Sequence, residues 1–110
     1  MTDKRDPDKA VDYIIANAAK FAEAKADRVY LEEFRKTKKA LLMSQSDAKT
    51  AVEREQWAYA HPEYQELLMG LRAAVATEER LRWDLIAAQA RVEVWRTRSA
   101  NERAQDRAAQ

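Results

Sequence analysis

The sequence predicts an all-α protein, built as a long antiparallel helical hairpin or coiled-coil-like bundle of three helices, two long and one short. Two observations lead to this prediction. The 110 residues include one Gly and two Pro, whereas the helix formers Ala, Leu, Glu, Lys and Arg are abundant. In addition, a heptad repeat with alternating steps of four and three residues continues without interruption from Leu67 to Ser99.

This heptad repeat, which we call the seam, marks one packing stripe on a long helix. A single helix cannot bury its own stripe, so the seam requires a second helix that faces it. Glu78 lies at an a position, where a polar residue fixes the register at a cost in stability, and we expect it to pair with a basic residue of the facing helix. The residues of the expected helix–helix interface are Leu67, Leu71, Ala74, Glu78, Leu81, Leu85, Ala88, Val92 and Trp95.

The first helix is expected over residues 8–43, capped by Asp8 and preceded by a polar leader over residues 1–7. Successive apolar steps from Ala18 to Phe34 are four residues long, which exceeds the 3.6-residue turn, so the apolar stripe drifts around the helix. We therefore expect this helix to cross its partner obliquely or to contain a break. The apolar residues of this stripe are Val11, Ile14, Ile15, Ala18, Ala22, Ala26, Val29, Tyr30, Phe34 and Leu41.

A short second helix over residues 47–60 and a long third helix over residues 62–106 complete the expected fold, and residues 107–110 are expected to be a frayed tail. Pro62 separates the two helices, because the residue before a proline is disfavoured in the α region and proline suits the first turn of a helix. The length of the chain indicates one domain, over residues 8–106.

The formal net charge is +1, from 20 basic and 19 acidic residues, so the total charge does not by itself indicate a nucleic-acid-binding protein. The distribution is more informative, because basic residues cluster on the first helix and near the end of the third. These clusters supply the candidate contacts to nucleic acid or to a partner protein, which are Arg35, Lys36, Lys39, Arg91, Arg96, Arg98 and Arg103.

The four arginines of the third helix flank the seam. In the heptad frame that puts Val92 at position a, Arg91 and Arg98 lie at g. Arg96 and Arg103 lie at e. A parallel dimer would bring these like charges together, so the sequence favours an antiparallel partner helix or an anion such as a phosphate backbone. Pairing with acidic residues of the first two helices is the alternative.

Large apolar side chains also lie away from the seam. Trp83 occupies an f position, opposite the seam, and Ile86 follows it three residues later. A large apolar ring at such a position indicates a second contact surface, which we expect another helix to cover. The aromatic residues could alternatively stack on single-stranded bases, although Tyr64 and Trp95 share the stripe of the seam, which favours packing.

The sequence offers little for catalysis or for cofactors. It has no Cys, which excludes disulfides and thiolate metal sites. His61 is the single histidine, so a multi-histidine metal site is excluded, and we expect His61 to mark the turn before Pro62. No nucleophile with its base and no phosphate-binding loop is visible, so we expect neither enzymatic activity nor a cofactor. No apolar run resembles a signal sequence or a membrane span, which predicts a cytoplasmic protein without a membrane partner.

Three segments resemble a family of small phage and prophage proteins that are encoded near early DNA-metabolism and recombination functions. The segments are residues 30–43 (YLEEFRKTKKALLM), 53–64 (EREQWAYAHPEY) and 91–103 (RVEVWRTRSANER), and the resemblance extends over most of the chain from Asp8. It implies an accessory role in phage DNA replication or recombination, or an effect on a DNA-processing machine of the bacterial host. It assigns no binding residues.

Two hypotheses follow. The first is a non-enzymatic accessory protein of phage DNA metabolism, a homo-oligomer with a dimer favoured, whose basic clusters contact DNA or a DNA-bound protein. The second is a protein-only helical adaptor or inhibitor, which docks on a phage or host protein through Trp83 and Ile86.

Overall fold

The computed structural model describes residues 6–109. They form three helices, α1 (Pro7–Gln45), α2 (Ala51–Ala60) and α3 (Pro62–Ala109), and no strand occurs within this range. The all-α prediction, with two long helices and one short helix, is confirmed. The bounds differ in detail, because α2 begins four residues later than expected and α3 continues through most of the expected frayed tail. Of the expected polar leader, residues 1–5 lie outside the described residues.

Side-chain caps set the limits of α2 and the start of α3. The hydroxyl oxygen of Thr50 accepts a hydrogen bond from the backbone N–H of Glu53 at 3.1 Å, which caps α2. His61 is extended, as expected before Pro62. Its Nδ1 accepts a hydrogen bond from the backbone N–H of Glu63 at 3.0 Å. His61 therefore ends one helix and caps the next, which confirms that it marks the turn.

The described residues divide into two compact units, residues 22–79 and residues 6–21 with 80–109. We call the first the three-helix unit, because all three helices meet in it. Its core consists of Leu42 from α1, Ala58 from α2 and Tyr64 from α3. The helices α1 and α3 run antiparallel in this unit, since Lys38 pairs with Glu63 near one end and Arg28 with Glu78 near the other.

The second unit, residues 6–21 with 80–109, contains α1 and α3 alone, and we call it the two-helix unit. Here too the helices run antiparallel, since the hydroxyl of Tyr13 donates to Asp84 at 3.3 Å. The Arg82 guanidinium lies 5.6 Å from the centre of the Phe21 ring, a cation–π contact. The buried apolar residues of this unit are Ala10 and Ala88, so the two helices bury small side chains between them.

The seam residues of α3 are buried or half-buried from Leu67 to Val92, whereas most of their neighbours are exposed. Trp95 departs from this pattern. It was expected to pack in the seam, but it is 47% exposed. The antiparallel pairing of Tyr13 with Asp84 explains the difference. Counted from this contact, the start of α1 at Pro7 lies six residues away and is level with Ala90 on α3, so α1 does not extend beside Trp95. Trp95 therefore lies near the end of the paired region.

The packing face of α1 differs from the expected one. Most of the predicted apolar stripe is exposed, including Ile15, Ala22, Tyr30 and Leu41. Of the two expected alternatives, an oblique crossing or a break, the break is excluded, because α1 is one continuous helix. The less exposed residues instead follow a heptad pattern of their own, which includes polar members. They include Ala10, Ile14, Asn17, Phe21, Ala24, Arg28, Leu31, Lys38 and Leu42. The error arose because apolar periodicity cannot identify polar residues that are buried by pairing.

Candidate nucleic-acid interface

A groove of about 510 Å³ lies on the three-helix unit, where α1, α2 and the start of α3 meet. We call it the basic groove. Its lining combines three cationic side chains with two aromatic rings. The lining residues are Arg35, Lys36, Lys39, Ala40, Met43, Tyr59 and Tyr64. The three cations were predicted as contacts from sequence, but their association with the two tyrosines was not.

Helical spacing explains why these residues share a groove. Arg35, Lys39 and Met43 are four residues apart, so they follow one face of α1. The turn at His61 brings α3 back beside α2, which places Tyr64 against Tyr59 with their ring centres 5.2 Å apart in an edge-to-face arrangement. The groove therefore requires the helical connection as well as the basic cluster of α1.

The two tyrosines have different surroundings. Tyr64 is buried in the small core of the three-helix unit, whereas Tyr59 is 39% exposed. The Nζ of Lys39 lies 4.9 Å from the centre of the Tyr59 ring, a cation–π contact. Tyr64 thus forms a fixed wall, and Tyr59 presents part of its ring to solvent in the groove.

Lys39 is also held by a carboxylate. Its Nζ lies 3.0 Å from Glu55 on α2. The pKa of Lys39 is raised above its ordinary value, mainly by the hydrogen bond to the Tyr59 side chain and next by the hydrogen bond to Glu55. Because a raised pKa keeps the ammonium protonated, Lys39 carries its positive charge at neutral pH.

The other two cations of the groove are more exposed. Lys36 lies 3.4 Å from Glu33, and both side chains are largely in solvent, so this ion pair is weak. Arg35 is exposed and makes no ion pair with any residue between 6 and 109. A guanidinium without a carboxylate partner is a suitable donor for two oxygens of a phosphate.

The candidate arginines of α3 lie on the two-helix unit and are all exposed. Arg96 lies 3.1 Å from Glu93 on its own helix. Arg91, Arg98 and Arg103 form no ion pair with α1 or α2 in the part of the chain that the structure describes. The alternative that these arginines are neutralised by the first two helices therefore has no support within residues 6–109.

Trp83 and Ile86 lie on the two-helix unit without a covering helix from residues 6–109, and Trp83 is 62% exposed. The expected covering helix is thus not part of the described chain. Two further large apolar residues of the same unit, Val11 and Ile15, are also exposed. The sequence assigned them to the packing stripe of α1, so their exposure was not predicted.

Glu78 is paired as its seam position predicted. Glu78 is 2% exposed, and its carboxylate accepts two hydrogen bonds from Arg28, at 2.6 Å from Nε and at 3.0 Å from a terminal nitrogen. Arg28 also donates to Glu32 at 3.1 Å. The hydrogen bond to Glu78 is the main cause that raises the pKa of Arg28 above its ordinary value. This ion pair joins α1 to α3 and is structural.

Metal-binding and membrane-spanning features are absent from the described residues. No group of three or more histidine, aspartate or glutamate side chains within residues 6–109 is arranged to hold a metal ion. In the same part of the chain, every helix is too short or too polar to cross a lipid bilayer. Comparisons of the chain with protein-family models, with curated proteins and with solved structures found no match.

Proposed function

We propose that this chain is a non-enzymatic accessory protein of phage DNA metabolism that contacts DNA through its exposed basic side chains. The observation that carries the proposal is the state of the candidate arginines. Arg35, Arg91, Arg98 and Arg103 are exposed and have no carboxylate partner among residues 6–109. The phage context, and with it a location in the cytoplasm of the bacterial host, comes from the resemblance of the three segments described above.

The physical basis is electrostatic. A phosphate backbone releases bound counterions when arginines neutralise it, so unpaired cations give affinity without sequence preference. The net charge of +1 means that this affinity depends on local clusters rather than on the whole molecule. Binding should therefore weaken steeply as the salt concentration rises.

Self-association is part of the proposal, with a dimer favoured. The two-helix unit supports it, because Ile15 and Trp83 are exposed there while two alanines supply the buried apolar residues. A second copy would remove such side chains from water. Multi-angle light scattering should give the mass of a discrete dimer, and a monomer at micromolar concentration would contradict this part.

The DNA-contact proposal is tested by replacing Arg91, Arg96, Arg98 and Arg103 together with Glu. We expect the affinity for DNA to fall at least tenfold and the salt dependence of binding to flatten, with unchanged helicity and mass. For a duplex, each lost phosphate contact lowers the slope of log K against log salt by about 0.9.

A matched control carries the same change in charge at other exposed sites. It replaces Lys9, Lys20, Lys25 and Arg72 with Glu, all of which are exposed. The control should keep most of its affinity. Equal losses of DNA affinity in the two variants would mean that DNA binding depends on net charge and not on these four positions. Unchanged DNA affinity in the variant of the four α3 arginines would refute direct contact by these residues.

A protein-only adaptor or inhibitor is the second candidate, and the exposure of Trp83 beside Ile86 favours it. Tryptophan is enriched among residues that dominate binding energy at protein interfaces. Trp83→Ala should abolish capture of a partner from a bacterial extract, while Met69→Ala, an exposed apolar residue of the three-helix unit, should not. Capture at full strength by the Trp83 variant would exclude this anchor.

A further inference from the structure

We infer that the basic groove binds a phosphodiester segment of single-stranded nucleic acid, with the phosphate on Arg35 and Lys36 and the adjoining base against Tyr59. This inference rests on the proposed function, because it specifies where a nucleic acid would bind and in which strand form. It adds to the basic clusters a second kind of contact, an aromatic surface.

The phosphate part follows from the charges in the groove. Arg35 has no carboxylate partner within residues 6–109, and the pair between Lys36 and Glu33 is exposed and weak. Lys39 is held more firmly, between Glu55 and the Tyr59 ring. Arg35 and Lys36 are therefore the cations more readily available to bind an anion, and Lys39 adds a third positive charge to the groove.

The base part follows from the environment of Tyr59. Tyr59 lines the groove and is 39% exposed, and its ring makes an edge-to-face contact with buried Tyr64 that restricts its motion. A fixed aromatic ring beside cations is the arrangement with which proteins stack single-stranded bases, and it tolerates any sequence because every base has a π face.

The geometry favours a single strand over a duplex. In a duplex both faces of each internal base are covered by the neighbouring bases. Tyr59 could therefore stack on a base only if that base first left the duplex stack. A single strand can turn a base toward the ring while its phosphate stays near Arg35. Free inorganic phosphate would use the cations but gain nothing from Tyr59.

The test is fluorescence anisotropy with a labelled oligothymidylate and with a labelled duplex of mixed sequence, at low and moderate salt. Tyr59→Leu should weaken binding of the single strand by about fivefold or more and leave duplex binding unchanged. Tyr59→Phe, the matched control, keeps the ring and should bind the single strand like the unaltered protein.

A second variant keeps the test decisive if Tyr59→Leu fails to fold. Arg35→Gln changes an exposed side chain, so the fold should survive. It should weaken binding of the single strand and lower the salt slope by about 0.7. Arg72→Gln, another exposed arginine of the three-helix unit, should do neither.

The outcomes separate this inference from the proposed function. If the groove variants bind the single strand normally while the variant of the four α3 arginines loses DNA binding, the groove inference is wrong and the proposed function stands. A second outcome would show a phosphate site without base contact and overturn the inference. In it, Arg35→Gln weakens binding of the single strand, Tyr59→Leu does not, and inorganic phosphate displaces the single strand as well from the Tyr59→Leu variant as from the unaltered protein. A protein that binds neither DNA overturns both.

Discussion

The three-helix unit and the two-helix unit are built from the same two long helices, yet they bury very different side chains. The three-helix unit encloses Leu42, Tyr64 and the carboxylate of Glu78. The two-helix unit encloses Ala10 and Ala88 and leaves Ile15 and Trp83 in solvent. One source of the difference is α2, whose Ala58 packs with Leu42 and Tyr64 in the three-helix unit.

This comparison shows what a heptad seam can and cannot supply. Two facing helices bury the a and d side chains between them, but the flanks of the pair remain in water unless a third element covers them. Stability is therefore expected to come mainly from the three-helix unit. Large apolar side chains are exposed in both units, such as Met69 in the three-helix unit and Trp83 in the two-helix unit.

The largest effect should come from the core of the three-helix unit. Leu42 is completely buried against Ala58 and Tyr64, so Leu42→Ala should lower the free energy of unfolding by about 2–5 kcal/mol. The matched change in the two-helix unit, Ile15→Ala, should cost the monomer less than about 0.5 kcal/mol, because Ile15 is 73% exposed in the single chain, and it should cost more in a dimer that covers Ile15. Urea unfolding followed by circular dichroism measures both.

The Ile15 variant also reports on self-association. If Ile15→Ala costs as much as Leu42→Ala, Ile15 is buried in solution by something outside residues 6–109. Repeating the unfolding at several protein concentrations would then identify a second copy as the cover, since the stability of a dimer depends on concentration.

The next effect should come from the buried ion pair of the three-helix unit. Arg28→Met removes the two hydrogen bonds that Arg28 donates to the buried Glu78 carboxylate, so the melting temperature should fall. The effect should be smaller than that of Leu42→Ala, because the Arg28 side chain is partly exposed and water can reach the site. Thermal unfolding at neutral pH measures it.

Two further variants identify the cause of that loss. Adding Glu78→Leu to Arg28→Met also removes the buried carboxylate and should restore most of the melting temperature. Lys36→Met breaks the exposed pair with Glu33 and should change little. If the double variant melts as low as Arg28→Met, the loss comes from the packing of the Arg28 side chain rather than from its ion pair with Glu78.

The packing faces of α3 and α1 were not equally predictable from the sequence. The seam of α3 could be predicted from sequence, because residues such as Leu71, Leu81 and Leu85 are apolar at regular steps. The packing face of α1 could not. There the half-buried positions include Asn17 and Arg28, whereas exposed positions carry apolar residues, so the apolar pattern selects the wrong face.

The basic groove was predicted only in part. Its cations were visible as a cluster around Arg35 and Lys39. The contribution of Tyr59 depends on a tertiary contact, since the turn at His61 brings Tyr64 against it. The sequence signal that could have indicated this is a pair of tyrosines on either side of a His-Pro turn. A repeat confined to one helix contains no information about such a contact.

The smallest effect should come from an exposed pair of the three-helix unit. Glu63 lies 3.1 Å from Lys38, and the hydrogen bond to Lys38 lowers the pKa of this carboxyl below its ordinary value. A carboxyl whose pKa is lowered by folding binds protons more readily in the unfolded state. Its contribution to stability is therefore present above its unfolded pKa, which is about 4.3 for glutamate, and is lost as the pH falls through the lowered folded pKa.

Glu63→Gln should accordingly lower the melting temperature slightly at pH 7 and have no effect once the pH lies below the folded pKa. The change should be small because the Glu63 side chain is about half exposed, where water and salt weaken an ion pair. Melting curves from pH 7 to pH 2 at low salt measure the difference, and high salt should reduce it. A difference that persists unchanged at pH 2 would mean that the substitution acts on the backbone N–H cap at His61 rather than on the ion pair.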